Sequence, residues 1–384
     1  MIHRIRIQNY KSLRDVTVEL SPVTVLIGRS GTGKTNFCEA IRLLRDCLTS
    51  GVQNVWQRML LAKPMTHGKE GVSYEVDFTV NGYDEAFSYS LAFDPRLTEP
   101  VRESLTCGGS AVFAQSHALV TDRNGVLVPK SVGTWEVHPA LASVPNAGPL
   151  ALPRLPGIEF ATVAISSLTA GLGIYSFPYN VLENSMPGDS GLEDDASNAL
   201  GTLRALWVNP QCRRDRAGLV AALRQVNSRV LSVELDSIQS PTKSLVSHEF
   251  GDKILAMPLS SESSGFRRFL AHLLALYQTP PKQTLIFEEP ENAIFPGALI
   301  TLAEEFKATP EEGRGQVILT THNPVLLNHF DADQIRVVEM DENLETQIGP
   351  LAPEQREALQ EKMLYPGELF TVDVARREHE VVSP

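Results

Sequence analysis

Apolar and polar residues alternate over 2–7 and 16–20, with Ile5, Ile7, Val16, Val18 and Leu20 on one side, which predicts two half-buried strands. The run VTVLIG, 23–28, is almost continuously apolar and predicts a strand covered on both faces. From about Lys34 to Leu48 the spacing becomes helical, with Phe37, Ala40, Ile41 and Leu44 inward. Alternation returns over VSYEVDFTVNGYDEAFSYSLAFD, 72–94, where Asn81-Gly82 between two runs marks a hairpin. A second hairpin is expected around Asn124-Gly125, and the Pro- and Gly-rich stretch 143–157 reads as loop. The pattern is helical from about 160 to 235, broken by a polar loop at 184–196.

In the last third, Phe266, Phe269, Leu270, Leu273, Leu274 and Tyr277 recur at helical spacing. TLIF, VILTTH and IRVVEM read as strands, with a helix over 297–308 between the first two. Strands alternating with helices imply a mainly parallel sheet. The fold expected is α/β, a mixed, mainly parallel sheet with an antiparallel β lobe and a short helical insertion. Its parts would be 1–95, a β/loop insertion over 96–160, a helical insertion over 161–250, and a C-terminal part over 251–384. No internal repeat and no sustained heptads occur.

Composition narrows the class. The 384 residues are 42% hydrophobic and 21% charged, ordinary globular proportions. No window approaches an uninterrupted membrane span, and the charged start MIHRIRIQNYKSLR lacks the apolar core of a signal peptide, so no membrane partner is expected. Cys38, Cys47, Cys107 and Cys212 are too dispersed for a disulfide scaffold or zinc site, which suits the cytoplasm. Cys38 and Cys47 read as core. A net charge of −12 argues against a surface that generally coats nucleic acid. Local basic groups remain at Arg4, Arg6, Lys11 and Arg14, at Arg213, Arg214 and Arg216, and at Arg267-Arg268.

The chemistry starts at GRSGTGKT, Gly28, Arg29, Ser30, Gly31, Thr32, Gly33, Lys34 and Thr35, which fits GxxxxGK[ST] between a buried strand and an amphipathic helix. Gly31 and Gly33 let the backbone curl so that N–H groups face phosphate oxygens, Lys34 reaches the β- and γ-phosphates, and the Thr35 hydroxyl can ligate Mg²⁺. A nucleoside triphosphate and Mg²⁺ are therefore the expected ligands. TLIF runs into Glu288 and Glu289, acids costly to leave unpaired at the end of a buried strand. Beside a phosphate loop, Glu288 would take the metal side and Glu289 would orient or deprotonate the attacking water. VILTTHNP ends a strand at His322, placed to meet the γ-phosphate or the water. Ser263, Ser264 and Gly265 open an amphipathic helix, as either an anion site or ordinary caps.

Taken in order, these motifs resemble the ABC-type ATPases of the SMC, RecF and OLD superfamily. GTGKTN, ESSGFRRFLAHL, LIFEEPENAIFP and TTHNPVLL look most like OLD-like ATP-binding proteins of bacterial genome defence. The resemblance implies a P-loop NTPase head with Gly28 to Thr35 as Walker A and Asn36 beside it. Glu288 would fall at the Walker B metal position, Glu289 at the catalytic carboxylate, and His322 at the switch histidine. Ser263, Ser264 and Gly265 would be the signature that touches ATP on a partner subunit, making the active state a homodimer or higher even oligomer. Arg29-Ser30 replaces the usual Asn-Gly pair, Phe266 replaces a polar residue, and Glu288 replaces Asp. The glutamine loop has Gln115 as its one candidate.

The function expected is an Mg-dependent ATPase that senses a trigger and gates a separately encoded effector, a nuclease or toxin, in antiviral defence. About 60 residues follow His322, too few for a TOPRIM nuclease. The alternatives are a RecF-like DNA-binding repair protein and a nucleotide-switched scaffold with little turnover; a transporter motor is disfavoured by the degenerate signature.

Overall fold

A computed structural model describes residues 1–52, 55, 71–94, 101–121, 127–131, 136–137, 159–183, 186, 188, 191–236 and 243–378. Six strands form the central sheet, in the order Leu172–Tyr175, Thr284–Glu288, Gln316–Thr321, Val23–Ile27, Ile335–Met340, Thr346–Pro350. The first five are parallel, and the last returns antiparallel to Ile335–Met340 as the closing hairpin.

The period of two in these strands divides the interior. Leu285, Phe287, Val317, Leu319, Val25 and Ile27 enter one core with the helices Ser264–Tyr277 and Pro296–Glu311. Ile286, Ile318 and Leu26 enter the other, with the helix Lys34–Ser50 and a large antiparallel sheet. Both faces being covered explains the absence of charged residues in TLIF and VTVLIG. Phe287 packs 5.3 Å from the Tyr175 ring and 4.9 Å from that of Phe306. His272 is enclosed in the same core, where burial holds its pKa down to about 3, so the imidazole is neutral.

The antiparallel sheet has eight strands, seven of them in the order Leu13–Glu19, Ile2–Tyr10, Val72–Thr79, Ala86–Phe93, Val101–Cys107, Ser110–Thr121, Leu127–Ser131; Glu136–Val137 also pairs with Ser110–Thr121. In Val72–Thr79 every second residue is buried, as its alternation requires. The Asn81-Gly82 turn uses Gly82 at φ +88. Ser110–Thr121 and Leu127–Ser131 pair as the second hairpin requires; its Asn124-Gly125 turn and the 143–157 loop lie outside the described residues.

The expected helical run over 160–235 needs correction. Helices do form at Glu159–Leu168, Ala199–Val208 and Arg213–Val226, but Leu172–Tyr175 is a strand at the edge of the central sheet. Four consecutive buried residues carry no period, so LGIY reads equally as helix or strand until its neighbour Thr284–Glu288 is known. Val230–Asp236, Lys243–Phe250 and Lys253–Pro258 form a separate three-stranded sheet.

Three of the basic groups near the start are ion-paired. Arg4 pairs with Asp77 at 2.7 Å, Arg6 with Asp15 at 2.8 Å, and Lys11 with Glu39. Arg267 is held by Glu183 at 2.6 Å. Cys38, Cys47 and Cys212 are buried and free. Among the described residues, no helix is long and apolar enough to cross a membrane.

Candidate functional site

The carboxyl ends of the parallel strands carry the site, as in other open α/β sheets. Val23–Ile27 turns through Gly28–Gly33 into its helix, with Gly31 at φ +82 and Gly33 at φ +105, conformations that favour glycine. A Cβ on Gly28 would lie 2.2 Å from the Val338 carbonyl oxygen, so the loop hugs the next strand. The Lys34 ammonium folds across the loop and donates to the carbonyls of Gly28 at 2.7 Å and Arg29 at 3.0 Å. Burial lowers its pKa, while Glu289 and Glu291 oppose that shift, so the lysine and the acids share one field. Arg29, Ser30, Gly31 and Thr35 are exposed, and the Thr32 hydroxyl donates to the Arg29 carbonyl.

A hydroxyl clamp braces the loop from behind. Fully buried Thr346 donates its hydroxyl to the Thr32 carbonyl at 2.9 Å, so Ser12 must be the donor in its 2.7 Å bond to Thr346. Asn36 Nδ2 donates to Ser12 at 2.7 Å. A Cβ on Gly33 would sit 2.1 Å from Thr346 Oγ1, so the clamp closes only over glycine. Thr346→Val strands the Ser12 hydroxyl and the Thr32 carbonyl; a loss of about 1–3 kcal/mol is expected, read from the urea midpoint. An unchanged midpoint would remove the clamp from the account.

Glu288 ends its strand level with Thr320. Burial pushes its carboxyl up, with Arg42, Cys38 and Ser176 around it, and its Oε1 is buried without a hydrogen-bond partner. Ser176 follows Tyr175, which pairs with Phe287, and so stands beside Glu288. An orphaned carboxylate oxygen beside the helix that follows the phosphate loop suits a hard cation that prefers oxygen donors, so the residues fit Mg²⁺.

Glu289 adopts φ +44, its N–H bonded to the Thr320 carbonyl at 3.1 Å. Its Oε2 accepts from Asn292 Nδ2 at 2.9 Å, and its Oε1 lies 3.4 Å from Nδ1 of half-exposed His322. Glu291 is buried, and its Oε1 accepts from the Thr321 hydroxyl at 2.8 Å and the His322 N–H at 3.0 Å. Its Oε2 is buried without a partner.

The structure thus brings Lys34, Glu288, Glu289 and His322 to one edge. Ser263, Ser264 and Gly265 stand apart: Ser263 caps its helix by accepting from the Phe266 N–H at 3.2 Å, and a Cβ on Gly265 would lie 2.9 Å from the Ala293 carbonyl. Arg268 of that helix donates to the Asn292 carbonyl at 2.7 Å and to that of Phe177. Among the described residues, no hydrogen bond joins these three residues to Gly28–Thr35. Gln115 lies in the antiparallel sheet opposite Glu103, and Ser176 stands beside Glu288. Sequence reasoning also passed over Glu291, although EEPEN shows it, and over Ser12 and Thr346, which are 334 positions apart.

Two family descriptions match the segments that carry these motifs. "AAA ATPase domain" matches residues 1–55, and "AAA domain, putative AbiEii toxin, Type IV TA system" matches 189–328. The comparison with curated proteins gave no match. Among solved structures, the chain resembles an Smc head bound to the C-winged helix domain of ScpA, with TM-score 0.56 and 13% identity over 93% of this chain and 99% of that one. An Smc head with an extended coiled coil, bound to the C-terminal domain of ScpA derived from Pyrococcus furiosus, gives TM-score 0.56 and 13% identity over 94% and 99%. The chain has the fold of an SMC head, and the matches to AAA ATPase descriptions span the segments that hold its motifs.

Proposed function

We propose that the protein hydrolyses ATP at an ABC-type site and uses the nucleotide cycle to gate a separately encoded effector, as the OLD-like resemblance implies. The observation that carries the hydrolytic part is the field Lys34 shares with Glu289 and Glu291, together with His322 lying 3.4 Å from Glu289. Backbone N–H groups of Gly31 to Lys34 and the Lys34 ammonium bind the phosphates. Thr35 and Glu288 would hold Mg²⁺, which supplies charge neutralisation at the β- and γ-oxygens when bound. Glu289 orients the attacking water and accepts its proton, and His322 lies against that carboxylate. The AbiEii-type match over 189–328 supports a defence setting.

Ser263, Ser264 and Gly265 lack any bond to the P-loop of their own chain, which favours their serving a second copy's ATP. Separate Lys34→Ala and Ser264→Arg variants should each be inactive, while a mixture recovers about a quarter of wild-type turnover by random pairing. A mixture that stays dead, although both variants fold and form mixed dimers, would remove the shared site. The RecF-like reading needs a basic face. Ion pairing of Arg4, Arg6, Lys11 and Arg267 weighs against one.

A further inference from the structure

Glu262 sits awkwardly for its neighbours. It stands immediately before Ser263, Ser264 and Gly265, at the start of a helix whose first N–H groups suit an anion, and a carboxylate turned outward there would repel a phosphate. Its side chain is instead 9% exposed, and its Oε1 meets Nε2 of His248 at 2.6 Å. A carboxylate oxygen accepts, so the imidazole is the donor.

The period of two along Lys243–Phe250 brings His248 inward beside Val246, whose side chain joins Val230, Val233 and Leu259 in the core. Past the turn, Lys253–Pro258 pairs back on this strand with Leu255 opposite His248, then runs through the turn Leu259–Ser261 to Glu262. The histidine reaches beyond the cap as well: its ring lies 6.4 Å from that of Phe266, tilted by 52°. Phe266 is the third residue of the helix, and its N–H is the one that Ser263 caps. One buried imidazole therefore holds the residue before Ser263, Ser264 and Gly265 and the residue after them. Phe266, found where the resemblance leads to a polar residue, supplies half of that grip.

We infer that His248 and Glu262 are positioning residues for Ser263, Ser264 and Gly265: the pair fixes the start of the helix and turns the Glu262 charge away from the phosphate of a second copy's ATP. The inference rests on the shared-site reading above. Without His248, the enclosed carboxylate loses its donor and gains by moving toward water, which drags the adjoining cap with it.

The test uses the full chain and the mixing assay. His248→Phe keeps a ring against Phe266 and removes the donor. Its turnover should fall by up to about 10²-fold, as a misplacement near 1 Å does, with its own ATP affinity unchanged. Mixed with Lys34→Ala, it should recover about a quarter of wild-type turnover, because the mixed dimer joins a sound phosphate loop to a sound Ser-Ser-Gly segment. Mixed with Ser264→Arg, it should stay low, since both of those segments are then defective. Glu262→Gln, whose amide oxygen still accepts from His248, should turn over nearly as the wild type does. Unchanged turnover in His248→Phe overturns the inference. Recovery with Ser264→Arg instead of Lys34→Ala, or with neither, does so too. Should His248→Phe not fold, Glu262→Ala decides in the same two mixtures. Failure of Lys34→Ala with Ser264→Arg removes the shared site and this inference with it, whereas recovery there with the wrong His248 pattern removes this inference alone.

Discussion

Glu289→Gln is expected to keep ATP and lose turnover. The side chain lies at the carboxyl edge, anchored by Asn292 at Oε2 and facing His322 from Oε1, and its field reaches Lys34. Glutamine preserves the size and the Asn292 contact through its oxygen, so phosphate binding and the fold should survive. It cannot accept the water's proton, and general-base catalysis of this kind contributes about 10²–10⁴-fold to kcat. Single-turnover hydrolysis should fall by that factor with ATP affinity nearly unchanged, and light scattering should show a larger ATP-bound species persisting. Lys34→Ala should behave oppositely, losing the nucleotide itself. Full turnover in Glu289→Gln would show that Glu289 does no water chemistry, and the nucleotide-switched scaffold would become the better account.

The elements that sequence made legible share one property: their signal is local. GRSGTGKT brings its own strand and helix, Asn81-Gly82 sits between two alternating runs, and TLIF ends visibly at two acids. What stayed hidden depends on residues distant in the chain. Leu172–Tyr175 is a strand because Thr284–Glu288 offers it an edge more than a hundred positions later. The strand Val230–Asp236 follows closely on the helix Arg213–Val226, so the change of period passes unnoticed. The clamp behind the phosphate loop joins Ser12 to Thr346, two small hydroxyl residues with no motif of their own. Gln115 faces Glu103 across two strands of the antiparallel sheet, a pairing that no local pattern announces.

Glu291 offers the sharper test of how the acidic segment works. Its buried Oε1 takes two donors from the end of the neighbouring strand, the Thr321 hydroxyl and the His322 N–H, and so sets where His322 begins. Glu291→Ala leaves both donors unpaired in a site closed to water, which should cost about 1–3 kcal/mol of stability. It should also free His322 to drift, and a misplacement near 1 Å costs about 10²-fold in kcat. Glu291→Gln separates the two roles of the carboxylate. The amide oxygen can still accept from Thr321 and His322, and the amide nitrogen takes the place of the unpartnered Oε2. If Glu291 acts by positioning, the glutamine variant recovers stability and most of kcat, and its pH profile matches the wild type. If its charge acts on the phosphates or on Lys34, stability returns without turnover, and ATP affinity shifts as the ammonium loses one of its two opposing carboxylates. Positioning is the expected result, because both bonds Glu291 makes are to the strand that delivers His322.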